Sequence, residues 1–224
     1  MLENFIRSNF DVIVEIQENF GHDIAMVKAV ESKTLNNEMV KNWMRNYGLF
    51  QGVKGEYRVK IADEFIQFSN GLKRENELNI EANFKVLHSK LYSVFQRKWL
   101  SATSKLLWCI YPNKIVIYDA FVERVITVLQ CLDEDLAKLP RLNYPPNIKS
   151  KKDIELVAKY YMNYQNHVKL LVKKHQLTLN ELKVKLNTNY KYDLRIIDKI
   201  LWLMGDMKSE FKLGDIHCKT EEIK

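Results

Sequence analysis

One short stretch gathers a lysine, an aspartate, three hydroxyls and three aromatics that could act on a common substrate: Trp99-Leu-Ser101-Ala-Thr103-Ser104-Lys105-Leu-Leu-Trp108-Cys-Ile-Tyr-Pro-Asn-Lys-Ile-Val-Ile-Tyr118-Asp119. It reads as helix, short apolar link, Asp, helix. Lys105 lies one turn into the first helix, with Ser101, Trp108 and Cys109 on its face at i−4, i+3 and i+4. Asp119 opens the second helix, beside unpartnered backbone N–H groups and the positive end of the helix dipole, where a negative charge is favoured. Breaking the C1′–N bond of a nucleoside calls for such a pair. The sugar becomes cationic in the transition state, and a fixed carboxylate stabilises it. A lysine amine freed of its proton by burial can attack C1′ and form a Schiff base, after which the DNA strand can be cut by elimination. Ser101, Thr103 and Ser104 offer hydroxyls to a backbone phosphate at a helix N-terminus. Trp99, Trp108 and Tyr118 offer rings to stack on, or wedge beside, an extruded base.

Each of these residues also has a plainer reading. A lysine in a basic chain is ordinarily a solvated helix residue. An aspartate at a helix start is accounted for by capping alone, worth about 1 kcal/mol. Tryptophans, Trp202 included, ordinarily contribute packing area. What sets the stretch apart is the co-occurrence of all of them.

The elements that must position these residues are helical throughout. Only 7 glycines and 4 prolines interrupt the chain, and apolar residues recur at three-and-four spacing. Helices are expected over 2–20, from a Thr34 cap to Gly48, over 57–68, over 80–99, over 101–110 and over 119–131, with a loop from Gly48 to Gly55. Pro140, Pro145 and Pro146 mark a linker over 139–149, followed by three more helices. Thr178 to Glu181 has the pattern of a capping box, and Gly205 closes the last helix. The expected organisation is an N-terminal helical lobe (1–78), a catalytic helix-turn-helix segment (79–139), C-terminal helices packing into the same domain (140–217) and a frayed tail (218–224).

Composition narrows the setting. With 224 residues, 46% hydrophobic, the chain can bury one sizeable core. No apolar run is long enough to span a membrane, and the charged N-terminal helix does not resemble a secretory signal, so a cytoplasmic location is expected. Three widely spaced cysteines form neither a disulfide framework nor a metal pair, and they are too few for a four-cysteine iron-sulfur cluster. The five histidines lack ligand spacing, so neither metal nor organic cofactor is expected. The formal charge of +7 favours a polyanionic partner, although a chain rich in Lys, Asn, Ile and Tyr is also what an AT-rich genome encodes. Lys149 to Lys152, with Lys169, Lys173 and Lys174, could track phosphates or simply form a solvated face.

The segment Ser101-x-x-Ser104-Lys105, followed by Trp108, Pro112 and Ile117-Tyr118-Asp119, resembles the helix-hairpin-helix DNA glycosylase superfamily. It is most similar to divergent bacterial proteins with an 8-oxoguanine DNA glycosylase fold. Asp193 to Gly205 is similar to the final helix of that group, and together these segments cover about a fifth of the chain. The resemblance implies an all-α fold of helical lobes around a central cleft, Lys105 as nucleophile and Asp119 as assisting carboxylate. It also implies double-stranded DNA with a damaged or modified base as substrate, in repair or in defence against modified foreign DNA. One departure is plain: the superfamily's Gly-rich hairpin is replaced by Arg97-Lys98-Trp-Leu-Ser-Ala-Thr103, so phosphate binding would fall to the basic pair and the hydroxyls. Two other readings remain open, a helical DNA-binding module without chemistry and a helical protein-interaction scaffold.

Overall fold

A computed structural model of the chain describes residues 2–19, 21–72, 79–143 and 151–206. Among these the chain is all-α, with eleven helices and no strand. The expected tail over 218–224, most of the proline linker, and Lys149 and Ser150 of the Lys149 to Lys152 cluster lie outside the described residues.

Periodic burial explains most of the helices. α1 (Leu2–Asn19) turns Leu2, Ile6, Phe10, Ile13, Val14 and Gln17 inward, a stripe at the helical repeat. α2 (Gly21–Ser32) and α3 (Asn37–Asn46) follow, then α4 (Gly55–Gly71) and α5 (Ile80–Phe95), which buries Phe84, Leu87, His88 and Leu91. α6 (Leu100–Ile110) departs from one-sided burial: every residue from Ala102 to Cys109 is buried, because α2 and α5 both pack against it. α7 (Ala120–Gln130), the short α8 (Glu134–Ala137), α9 (Lys151–Lys174), α10 (Gln176–Leu186) and α11 (Asp193–Gly205) complete the fold. α11 packs on α7, α1 and α9, and buried residues from α1 through α11 form one hydrophobic core.

Contact between α7 and α11 requires a glycine. A Cβ at Gly205 would lie 2.3 Å from the carbonyl oxygen of Phe121, well inside van der Waals contact, so the helix stop expected at this position is also a packing requirement.

Several local expectations are corrected. Residues 21–32, which fall between the helices expected over 2–20 and from Thr34, form α2. The cap of α3 is Asn36, whose side chain accepts the N–H of Met39, while Thr34 hydrogen-bonds with Ser32. The helix expected to reach Trp99 ends at Phe95, where Gln96 takes the left-handed conformation (φ 49°). The capping box does not form: Thr178 donates to Glu3, Glu181 pairs with Arg7, and α10 begins two residues earlier at Gln176.

Candidate active site

α6 carries Lys105 on its inner face, and the link to α7 carries Asp119 to it. After a turn at 112–114 the link is without regular secondary structure, and it is buried from Ile115 to Tyr118. Its backbone polar groups must still be satisfied. Side chains of α9 and α6 do this. Gln165 accepts the N–H of Val116 at 2.9 Å, Tyr161 donates to the carbonyl of Val116 at 2.7 Å, Tyr164 donates to that of Ile117 at 3.0 Å, and Ser104 accepts the N–H of Tyr118 at 2.9 Å. Held this way, the link delivers Asp119 to the start of α7, where its side chain accepts the N–H of Phe121 at 3.0 Å and caps the helix.

Lys105 and Asp119 therefore meet. The lysine Nζ stands 3.8 Å from Asp119 Oδ2 and donates to Ser101 Oγ at 2.6 Å, while the ring of Tyr47 lies 5.6 Å beneath it. The lysine is only 6% exposed, so the solvated-helix reading fails at this position. Burial has the largest influence on its amine and lowers the pKa below the ordinary lysine value. The carboxylates of Asp119, Asp198 and Asp23 oppose that shift, and the Arg195 guanidinium adds to it. The amine opens onto a polar cavity of about 330 Å³. Its walls include Ser101, Tyr118 and Asp119, the Arg97-Lys98-Trp99 link, and the turn from Tyr47 to Gln51 that follows α3.

Arg97, Lys98, Trp99, Ser101 and Tyr118 thus come together at this cavity with Lys105 and Asp119. Arg97 lies over the Trp99 ring at 5.9 Å, and the Tyr118 hydroxyl donates to Glu123 at 2.5 Å. Three expected contact residues do not belong to the surface. Trp108 is 0% exposed, packed edge-on against Tyr192 and beneath the Arg195 guanidinium, and cannot reach a base. The Thr103 hydroxyl is buried, donates to the Trp99 carbonyl and pairs with His88; the Ser104 hydroxyl is committed to Ser101 and Tyr118. Neither is available to a phosphate. In a helix buried on all sides, helical spacing does not distinguish a face that meets ligand from one that meets core.

Behind Lys105 lies a charged cluster that local sequence pattern did not reveal. Arg195, wholly buried on α11, donates to Asp198 at 2.5 Å, to the Tyr47 hydroxyl at 2.6 Å and to Asp23 at 3.4 Å. Asp23 also accepts from Trp43 at 2.9 Å and from Tyr47. Burial opposes its charge, but Tyr47, Asp198 and Asp23 around it outweigh that and raise its pKa above the ordinary arginine value. Its effect at the site is to fix the Tyr47 ring against Lys105. On the same helix Lys199 is pushed down to about 8, chiefly by burial and then by Arg195.

Among the described residues no cluster of three or more His, Cys, Asp or Glu could hold a metal ion, and no helix is long and apolar enough to cross a membrane. Comparison of the chain with known protein families, curated proteins and solved structures finds no match to any of them.

Proposed function

We propose that the chain is a DNA N-glycosylase that also uses Lys105 as a lyase nucleophile, acting on a damaged or modified base turned out of duplex DNA. The observation that carries this reading is the Lys105–Asp119 pair: a buried amine and a capping carboxylate 3.8 Å apart at a polar cavity edged by Arg97 and Lys98. The neutral amine attacks C1′ of the flipped nucleotide. The C1′–N bond breaks with its electron pair leaving on the base, which takes up a proton. Asp119 stabilises the cationic sugar as this happens. The sugar then opens to a Schiff base on Lys105, and loss of the C2′ proton expels the 3′ phosphate.

The remaining wall residues suit the same task. α6 begins without a side-chain cap at Trp99, so its first amides are open to a backbone phosphate beside Arg97 and Lys98, in the role that glycine amides take in the resembling superfamily. Gln96 supplies the positive φ of the α5–α6 turn that a glycine would ordinarily supply. Trp99 and Tyr118, at the cavity wall, are the aromatics for contact with the nucleotide. Under this reading the protein works in the cytoplasm, in repair or in defence against modified foreign DNA.

The test is covalent trapping. Borohydride should fix the protein to duplexes carrying an abasic site or the correct base lesion, and Lys105→Ala should abolish the adduct. A wild type that never traps and releases no base from a panel of lesions would leave only a DNA-binding module.

A further inference from the structure

A second basic cavity, of about 410 Å³, lies toward the other end of α6 from the Lys105 site. It is lined by Asn113 and Lys114 from the α6–α7 link, Lys169, Val172 and Lys173 from α9, Gln176 from α10, and Lys191, Asp193 and Leu194 at the start of α11. Four lysines thus line one space, and among the described residues none of the four is in an ion pair. The one carboxylate in the lining is already committed, since Asp193 takes Lys183 on one oxygen and the Gln176 amide on the other. Lys174 differs from its neighbours in being neutralised by Asp133 and Asp135.

Capping accounts for one lysine only. Lys173 sits in the last turn of α9, where helix carbonyls favour a cation. Lys191 lies over the Tyr192 ring at 5.6 Å, but Lys114 and Lys169 have no such local reason to converge, and gathering all four raises their mutual repulsion. Lys169 is partly buried, and its pKa is lowered first by that burial and then by the charge of Lys114, as expected of an amine held in a positive field without a counter-ion. Asp193 and Leu194 add the positive end of a 13-residue helix whose first turn no side chain caps.

We infer that this cavity is a binding site for linked phosphates, a di- or triphosphate group whose charges are met by Lys114, Lys169, Lys173 and Lys191 together. Such a group is supplied either by a free polyphosphate-bearing molecule or by consecutive phosphates of a nucleic-acid backbone. The inference stands independently of the chemistry at Lys105.

Tripolyphosphate and inorganic phosphate, titrated calorimetrically into the full chain at low salt, test it. Two double variants serve, Lys169→Gln with Lys173→Gln, and Lys114→Gln with Lys191→Gln; the second pair is exposed, so the fold is not at stake. The wild type should bind tripolyphosphate saturably and more tightly than phosphate, and each double variant should bind it about tenfold or more weakly, a loss of about 1.4 kcal/mol. No saturable binding, or variants that bind as the wild type does, would overturn the site. An undamaged duplex distinguishes the sources. If the backbone fills the cavity, each variant loses duplex affinity and its log–log salt slope falls by about 1.8. If the occupant is free, duplex affinity is unchanged while tripolyphosphate binding is lost. Lys105→Ala should bind tripolyphosphate normally, and Lys105 trapping on abasic DNA is scored apart, so the two proposals fail separately.

Discussion

Gln165 accepts the backbone N–H of Val116 at 2.9 Å, so a helix far along the chain holds the segment that ends in Asp119. Gln165→Leu removes that acceptor while keeping the volume, leaving a buried N–H without a partner. The expected loss is about 1–3 kcal/mol of stability, read as a lower denaturant midpoint with unchanged slope. An unchanged midpoint would mean that the link does not depend on α9.

Asp119 both caps α7 and faces Lys105, and two substitutions separate the roles. Asparagine caps as well as aspartate, so Asp119→Asn should leave thermal stability nearly unchanged while slowing base release by about 100-fold or more. Asp119→Ala loses the cap too, at a cost of about 1 kcal/mol. Equal activity in Asp119→Asn and wild type would remove the carboxylate from the mechanism.

The Lys105 amine is expected to become nucleophilic at lower pH than an ordinary lysine, because burial lowers its pKa. The single-turnover rate of borohydride trapping on abasic DNA should rise with pH, with a midpoint below the usual lysine value of about 10.4. Asp119 opposes the shift, so Asp119→Asn should move that midpoint further down. A midpoint at the ordinary value, or one indifferent to the substitution, would contradict the geometry.

His88 is pushed down to about 4 by burial and then by the charge of Lys98. The unfolded chain takes up its proton near pH 6.5 and the folded chain only near 4, so the unfolded state binds more protons between these values. The stability attached to neutral His88 is complete above about pH 6.5 and declines as pH falls toward 4, by on the order of 3 kcal/mol in all. His167 and His175 are lowered as well, so the measurement is a difference: stability against pH for wild type and His88→Asn, whose curves should converge as the solution is acidified.

Removing the guanidinium of Arg195 should be more damaging than removing any single carboxylate around it. Arg195→Met leaves Asp23 and Asp198 buried without their cation, at a cost of about 3–5 kcal/mol. Adding Asp198→Asn should recover part of the loss, and a double-mutant cycle with no coupling would show the cluster to be incidental.

The α6–α7 unit was legible in the sequence because its signals are local: a capping aspartate, a proline-asparagine break and an apolar link. The same local reading placed Lys105 beside Ser101 correctly. It could not find Tyr161, Tyr164 and Gln165, since polar residues on a long helix are ordinary until a backbone segment is laid against them. Nor could it find Asp23, Tyr47, Arg195 and Asp198, which come together only through the tertiary fold. Trp108, Thr103 and Ser104 were misjudged for the opposite reason. On a helix enclosed on every side, proximity to Lys105 along the chain says nothing about access to solvent.

That enclosure of α6 bears on how a substrate would be chosen. Under the proposed function, a nucleophile mounted on so enclosed a helix has no travel of its own, and the sugar would be carried inward to meet it. Discrimination among bases would then fall to the residues lining the cavity around Lys105, the Tyr47 to Gln51 turn and the Arg97 to Trp99 link. On the same reading, exchanging Leu49 and Gln51, which line the cavity without touching Lys105 or Asp119 in any contact described above, should alter which base is released more than it alters Lys105 trapping on abasic DNA.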